Sequence, residues 1–251
     1  MKRIIFLIIL FSAGTFVFAQ ENTPAKTSGS EEGVLYTKGT AYGLSFNTSG
    51  WGLDYRNLKH KTGTLYRIIG LDFSTRRHHQ EIKMRSNSGR RTDSYYYGKL
   101  HSVFAFRPEI GYIKTLYDKE ISSAVRISYV GMIGPSFTWA KPVYLQIRQN
   151  TNGLNSTYIT QKYSPQWHNT TNIVGRERWS VGLNESVSYI GLYTKQGVNF
   201  DYAPQDDIYK SMELGVVLEA FLQGPLLMAY KKRQNVFIDL YVSISFGSKN
   251  Y

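Results

Sequence analysis

The stretch V-F-I-D-L-Y-V-S-I-S-F-G, residues 236–247, puts an apolar side chain at every second place: Val236, Ile238, Leu240, Val242, Ile244 and Phe246. Phe237, Asp239, Tyr241, Ser243, Ser245 and Gly247 take the alternate places. A period of two is a β-strand with one greasy and one mostly polar face. In a soluble sheet the greasy face is buried. In a membrane barrel it meets lipid, and the polar face lines the lumen. Which of the two holds here decides the fold.

The same alternation recurs along the chain. Tyr42, Leu44 and Phe46 oppose Ala41, Gly43, Ser45 and Asn47; after a turn at Thr48-Ser49-Gly50, Trp51, Leu53 and Tyr55 oppose Gly52, Asp54 and Arg56. A third strand is expected over residues 64–74 and a fourth over about 100–116. The fifth starts at Ile121 and runs past Gly134-Pro135 to about Ile147, the proline implying a bulge or a stretch beyond the bilayer. Strands over 189–202, 212–227 and 236–246 complete the set. The connections near 58–63, 117–120 and 204–210 are short. Those over 75–99 and 148–188 are long and polar, the second with a short helix expected near 178–188. With the N-terminal tail in the periplasm, every short connection just named is periplasmic and both long ones are outside. An even strand number with short periplasmic turns and longer outer loops is the outer-membrane arrangement.

Composition agrees. The chain has 251 residues, 20 tyrosines, 15% aromatics and no cysteine, which excludes disulfides, a thiolate nucleophile and a lipoprotein anchor. A basic start, an apolar run from Ile4 to Phe11, and Val17 and Ala19 before Gln20 form a signal-peptide pattern, with cleavage expected after Ala19. Residues 20–38 read as a flexible periplasmic tail and 39–251 as the barrel. Export makes nucleic acid an improbable partner for the +12 net charge. Lipid headgroups, lipopolysaccharide and acidic surfaces of other envelope proteins are the available anions.

The expected fold is therefore all-β: an eight-stranded antiparallel up-and-down transmembrane β-barrel with two long extracellular loops, in the outer membrane of a Gram-negative bacterium. Its lumen would hold a charge network of Asp54, Arg56, Asp72, Arg107, Glu109, Arg126, Lys195, Asp201, Glu213, Glu219 and Asp239. Eight strands leave room for little besides side chains, and buried charges there must pair. Trp51, Tyr55, Tyr112, Tyr129, Trp139, Tyr144, Tyr193 and Tyr202 fall near strand ends, as an interfacial girdle would. A soluble periplasmic β-sandwich or lipocalin-like binder remains the alternative.

The segments IGLYTKQGVNFDYA (190–203) and ELGVVLEAF (213–221), with the ending LYVSISFG, resemble the small PorT-like outer-membrane barrels of Bacteroidota. The resemblance covers the barrel and not the long loops. It implies a role as an accessory or structural subunit of an envelope protein assembly or secretion machine, without catalytic residues.

Chemistry is sparse. A lipid A-modifying rim enzyme would need a histidine base beside a hydroxyl or carboxylate; His101-Ser102 and His168 are the candidates. Adjacent strand residues point to opposite faces, which weakens the first. His78-His79 lacks the spacing of a metal site, so neither metal nor cofactor is expected. The first long loop is sharper. Arg76, Arg77, Lys83, Arg85, Arg90 and Arg91, followed by Tyr95-Tyr96-Tyr97, form a candidate outward-facing clamp for phosphates or an acidic partner.

Overall fold

The computed structural model describes residues 38–85, 94–119, 124–151, 155–203 and 208–250, so the expected signal peptide, nearly all of the tail, and Arg90 and Arg91 lie outside the described residues. Thirteen strands occur among them: β1 (Lys38–Asn47), β2 (Gly50–Thr62), β3 (Leu65–Arg76), β4 (Ile82–Arg85), β5 (Ser94–Tyr97), β6 (His101–Tyr117), β7 (Arg126–Pro142), β8 (Tyr144–Thr151), β9 (Asn155–Lys162), β10 (Ile173–Arg176), β11 (Val187–Asp201), β12 (Ile208–Phe221) and β13 (Val236–Asn250). Eight of these close into an antiparallel barrel in the order β1-β13-β12-β11-β7-β6-β3-β2. The first and last strands complete the ring, in a register from Lys38↔Asn250 to Asn47↔Tyr241. Closure leaves no sheet edge, the only way a sheet can cross lipid with its backbone satisfied.

The covered face of β13 is its polar one. Ile238, Leu240, Val242 and Phe246 are exposed, whereas Phe237, Asp239, Tyr241, Ser243 and Ser245 are buried inside. The other strands obey the same rule. Leu53, Ile69, Leu71, Ile110, Ile133, Ile190 and Leu192 stand on the outer wall. Phe46, Trp51, Phe73 and Trp139 lie toward the long loops, with Tyr42, Tyr112, Tyr129 and Phe246 toward the short turns. An apolar band between two aromatic belts belongs in a bilayer; in water it would be an unsatisfied patch all round the molecule. Two girdle expectations are corrected. Tyr193 faces inward and is buried, because it shares the lumen parity of Lys195, and Tyr144 belongs to β8, beyond the barrel.

One ladder of the wall is interrupted at mid-strand. Between the pairs Phe106↔Phe137 and Ile110↔Ile133 the β6–β7 ladder carries no paired residues. There Pro108 stands opposite Pro135, and neither has an N–H to give. On the neighbouring surface the exposed polar groups satisfy one another: the Tyr129 hydroxyl donates to Gln196, Gln196 donates to Thr194 (3.1 Å), and Thr194 donates to the Met132 carbonyl (3.0 Å).

Several boundaries differ from expectation. The fifth barrel strand, β7, stops at Pro142 instead of running to Ile147: the Val143 N–H turns aside to the Leu100 carbonyl (2.9 Å), and residues 144–151 pair with β9. The seventh, β12, ends at Phe221 instead of Leu227, before Gly224-Pro225. The long second loop holds a three-stranded sheet, β10-β8-β9, and the expected helix shrinks to one 3-10 turn, Leu183–Glu185. β4 and β5 form a hairpin in the first loop.

Candidate functional site

Small inward residues leave the lumen room for large charged ones. A Cβ on Gly43 would sit 2.5 Å from the Asp54 carboxylate, and one on Gly197 would sit 2.4 Å from the Tyr241 hydroxyl. Into the space so left, charges pack in two tiers. The lower tier centres on Arg56, which is 0% exposed. Its Nη1 and Nη2 donate to Glu213 at 2.6 and 3.2 Å, and its Nε lies 3.1 Å from Asp54 and 3.9 Å from Glu109. Lys195 stands 3.9 Å from Glu213 and 4.5 Å from the centre of the Tyr241 ring.

The upper tier is built on Arg107 and Arg76. Arg107 reaches Asp72 at 2.9 Å and Glu219 at 2.8 Å, with Tyr193 beneath it at 4.8 Å. Arg76 bonds Glu219, lies 3.5 Å from Asp239 and covers Phe237 at 4.0 Å. These ten charged residues comprise six carboxylates and four cations, and hydroxyls help to meet the excess. Tyr241 donates to Glu213 (2.6 Å), Thr48 to Asp239 (2.8 Å), Ser243 to Asp54 (3.2 Å) and Ser136 to Glu219. Arg126 and Asp201, the remaining expected lumen charges, sit at the end near the short turns, 3.8 Å apart.

Arg76 therefore does not belong to an outward clamp. It is the last inward residue of β3, opposite Val103, and the period that buries Asp72 and Ser74 buries it too.

Above the tiers the mouth is shut. Segment 222–235 leaves β12 and crosses to the opposite wall, where the Leu100 N–H donates to Leu227 O (2.9 Å) and the Ala229 N–H to Gly98 O (2.8 Å). Leu227 and Met228 pack on Val103, Ala140, Phe221 and Phe237 as an apolar stopper. The strand expected over 212–227 would have left only 228–235 to link the last two strands; ending at Phe221, β12 frees the longer segment that forms the stopper.

The loops beyond form a platform with a core of its own: Tyr95, Val143, Leu145, Ile147, Tyr163, Ile173 and Ala229, flanked by Met84, Tyr97, Leu100 and Ile159. Tyr95 is thus a core residue and not an anchor, and Tyr96 and Tyr97 are half-buried. Burial lifts the Tyr163 hydroxyl to about 12. Lys99 is buried, with Glu81 at 2.8 Å; burial lowers its pKa, Glu81 opposes that, and Arg77 and Arg176 repel it.

No protein-family model matches this chain, and no curated protein does. Among solved structures it is similar to Neisserial surface protein A, at 10% identity and TM-score 0.40, over 84% of this chain and 95% of that one. Ail, the attachment invasion locus protein of Yersinia pestis, is similar at 10% identity and TM-score 0.38, again over 84% and 95%. Ail in complex with the heparin analogue sucrose octasulfate is similar at 12% identity and TM-score 0.36, over 84% and 96%.

On the platform, Arg77, Lys83 and Arg85 are exposed, as a clamp needs. The structure adds residues that the sequence reading passed over. Trp167 is 77% exposed and Tyr230 83% exposed, and the Tyr230 hydroxyl donates to the Pro165 carbonyl (3.1 Å), tying the two loops. Lys231, Lys232 and Arg233 follow Tyr230 and are exposed. His78 is held below its ordinary pKa by burial, then by His79 and Lys231 against the pull of Glu81, so the first and last outer loops share one field. Across the described outer loops eleven Lys and Arg oppose only Glu81, Glu177 and Glu185.

The candidate catalytic histidines are otherwise occupied. His101 Nδ1 lies 2.7 Å from the Leu226 carbonyl on the lumen side of β6, with Ser102 on the other face. His168 accepts from the Ser164 N–H (3.0 Å) and contacts Gln161 (3.2 Å). Burial holds its pKa down. Among the described residues no group of three His, Asp or Glu is placed to hold a metal.

Proposed function

We propose that this chain is a non-enzymatic, non-conducting outer-membrane barrel that serves as an accessory subunit of an envelope protein assembly or secretion machine. The observation that carries the reading is the contrast between its two ends of construction. Among the described residues the lumen is filled by ion pairs and stoppered, while the outer loops fold on a core of their own and present a basic and aromatic surface. Exposed Arg and Lys beside Trp and Tyr suit the docking of an acidic protein surface, where charge steers the encounter and aromatics anchor it. The PorT-like pattern of the strands points the same way.

The test is tagged purification from native membranes in mild detergent, comparing the wild type with a variant carrying R77E, K83E, K231E, K232E and R233E. A protein partner at near-unit ratio, weakened by the reversals and by salt, is the expected result. A partner retained unchanged at low and high salt refutes the docking surface, and a monomeric barrel bringing lipopolysaccharide alone refutes the accessory role.

A further inference from the structure

One lysine on the outside of the barrel wall has no carboxylate. Lys141 shares the lipid-facing parity of Phe137 and Trp139 on β7 and stands opposite Ser102 of β6. It lies two residues, about 7 Å, beyond Trp139. Trp139 and its cross-strand partner Phe104 belong to the outer aromatic belt, so Lys141 sits at the depth of the lipid headgroups. It is nevertheless only 6% exposed. Segment 177–186, which joins β10 to β11, brings Trp179 against the same wall: its ring stands at 85° to that of Phe104, with centroids 5.7 Å apart, and its centre is 5.9 Å from Lys141 Nζ. Gly182, at φ +83° and pressed on the Tyr144 ring, turns this segment back toward β11.

Among the described residues Lys141 Nζ makes no hydrogen bond and no ion pair, and the charge that bears on it is another cation, Arg176. The carboxylates of the described outer loops are engaged elsewhere. Glu177 holds Thr160 and Gln146, Glu185 holds Tyr144 and Lys162, and Glu81 holds Lys99. Of the outer-loop segments beyond the described residues, 86–93 brings Asp93 together with Arg90 and Arg91, and 152–154 brings no charge. A covered ammonium beside a second cation is costly until an anion joins it. At headgroup depth, with an exposed indole alongside, the complementary anion is a lipid phosphate. We propose that Lys141, Arg176 and Trp179 bind the phosphate of one outer-leaflet glycolipid, a phosphorylated lipid A. The phosphate sits between Lys141 and Arg176, the indole lies along the headgroup, and the acyl chains run down the wall over Phe137, Ile190 and Leu192, all exposed. The site does not depend on the platform's role, because a barrel can carry such a lipid with or without a protein partner.

Native mass spectrometry of the full chain, folded in non-ionic micelles, tests it with three probes: bisphosphorylated lipid A, the same lipid with both phosphates removed, and inorganic phosphate. One lipid A per barrel is expected, bound about tenfold or more tightly than the dephosphorylated form and not displaced by an equal concentration of inorganic phosphate. K141Q should weaken it about tenfold, the loss of one charge-assisted hydrogen bond, and R176Q severalfold, whereas K141R should keep it. Both neutral variants remove a charge that has no carboxylate, so the barrel should still close, as the mobility of unheated protein on gels will show. K114Q removes an exposed lysine at the other end of the wall and should leave binding unchanged. Equal binding of the dephosphorylated lipid, displacement by inorganic phosphate, an affinity unchanged in both K141Q and R176Q, or an equal loss in K114Q overturns the proposal.

Discussion

Replacing Arg56 with methionine tests the account of the lumen at its centre. Arg56 is fully buried and touches three carboxylates: Glu213 through two hydrogen bonds, Asp54 at 3.1 Å and Glu109 at 3.9 Å. Methionine keeps much of the volume and removes the charge. Lys195, 3.9 Å from Glu213, is then the only cation left in that tier. Removing one partner of a buried ion pair costs about 3–5 kcal/mol, because the other is stranded away from water. R56M should therefore lower stability by about 3 kcal/mol or more, on the order of a hundredfold in the folding constant. E213Q alone strands part of Arg56 and should also destabilise. In R56M/E213Q neither group is stranded by loss of the other, so the double variant should cost no more than R56M, a coupling of about 2 kcal/mol. The assay is urea unfolding from phospholipid vesicles, read by the mobility shift of unheated protein on gels and by fluorescence of the lipid-facing Trp51 and Trp139. If the two single effects simply add, or if R56M changes stability by less than about 1 kcal/mol, the lumen is wet and screened and the ion-pair account is wrong.

Three further outcomes follow from particular contacts. P135V restores an N–H opposite Pro108 in the gap of the β6–β7 ladder, and should raise the temperature at which the folded gel band is lost, by an amount matching about 1 kcal/mol; a fall in that temperature would show that the seam is packed around the two prolines. Deleting residues 225–230 opens the stopper but leaves Arg107–Glu219 and Arg56–Glu213 across the lumen, so planar bilayers should stay silent; stable conductance would mean that the stopper alone closes the barrel. Glu177 accepts from Thr160 (2.8 Å), the Arg178 N–H (3.1 Å) and Gln146 (3.0 Å), bonds that hold its pKa below the ordinary carboxylate value. Stability from a depressed carboxylate is present above the unfolded pKa, about 4.3, and is lost as pH falls through the folded one. Amide exchange in β8–β10 should accordingly quicken in acid below about pH 4, and E177Q should flatten that dependence; because Glu177 is largely exposed, global unfolding should barely move.

The barrel was legible because alternation is a local signal repeated eight times. Ile238, Leu240 and Val242 announce an apolar face, and Asp239 and Tyr241 between them announce the other. The loops were less legible because their order rests on contacts between distant segments. Tyr95, Val143, Tyr163, Ile173 and Ala229 share one core, yet no short window shows them as a face. Arg76 illustrates the same limit at a strand end. Its neighbours Arg77, His78 and His79 read as a polar loop, and only the parity carried up from Asp72 and Ser74 places it indoors. The basic tip at 231–233 carries no local signal, because its meaning comes from Pro165, which Tyr230 bonds, and from His78, both far away in the chain.

Why the lumen should be charged at all follows from weighing stability against register. A buried ion pair contributes little net stability over an apolar pair of the same size. A lumen of leucines, however, would give strands apolar on both faces, and any register would then suit the bilayer equally well. With charges inside, the registers differ. Sliding β12 by one residue against β13 would turn Glu213 and Glu219 toward lipid and bring Leu214 and Leu218 into the lumen. An acidic residue so exposed at mid-bilayer costs somewhat less than the about 2–4 kcal/mol of a lysine or arginine there. The same slip would break the bonds of Glu213 to Arg56 and of Glu219 to Arg107 and Arg76. Those bonds join β12 to β2, β3 and β6 across the lumen, so one misplaced strand is penalised at several walls at once. The charges thereby select a single closed arrangement, and a rigid wall of that kind is what a platform of outer loops needs beneath it.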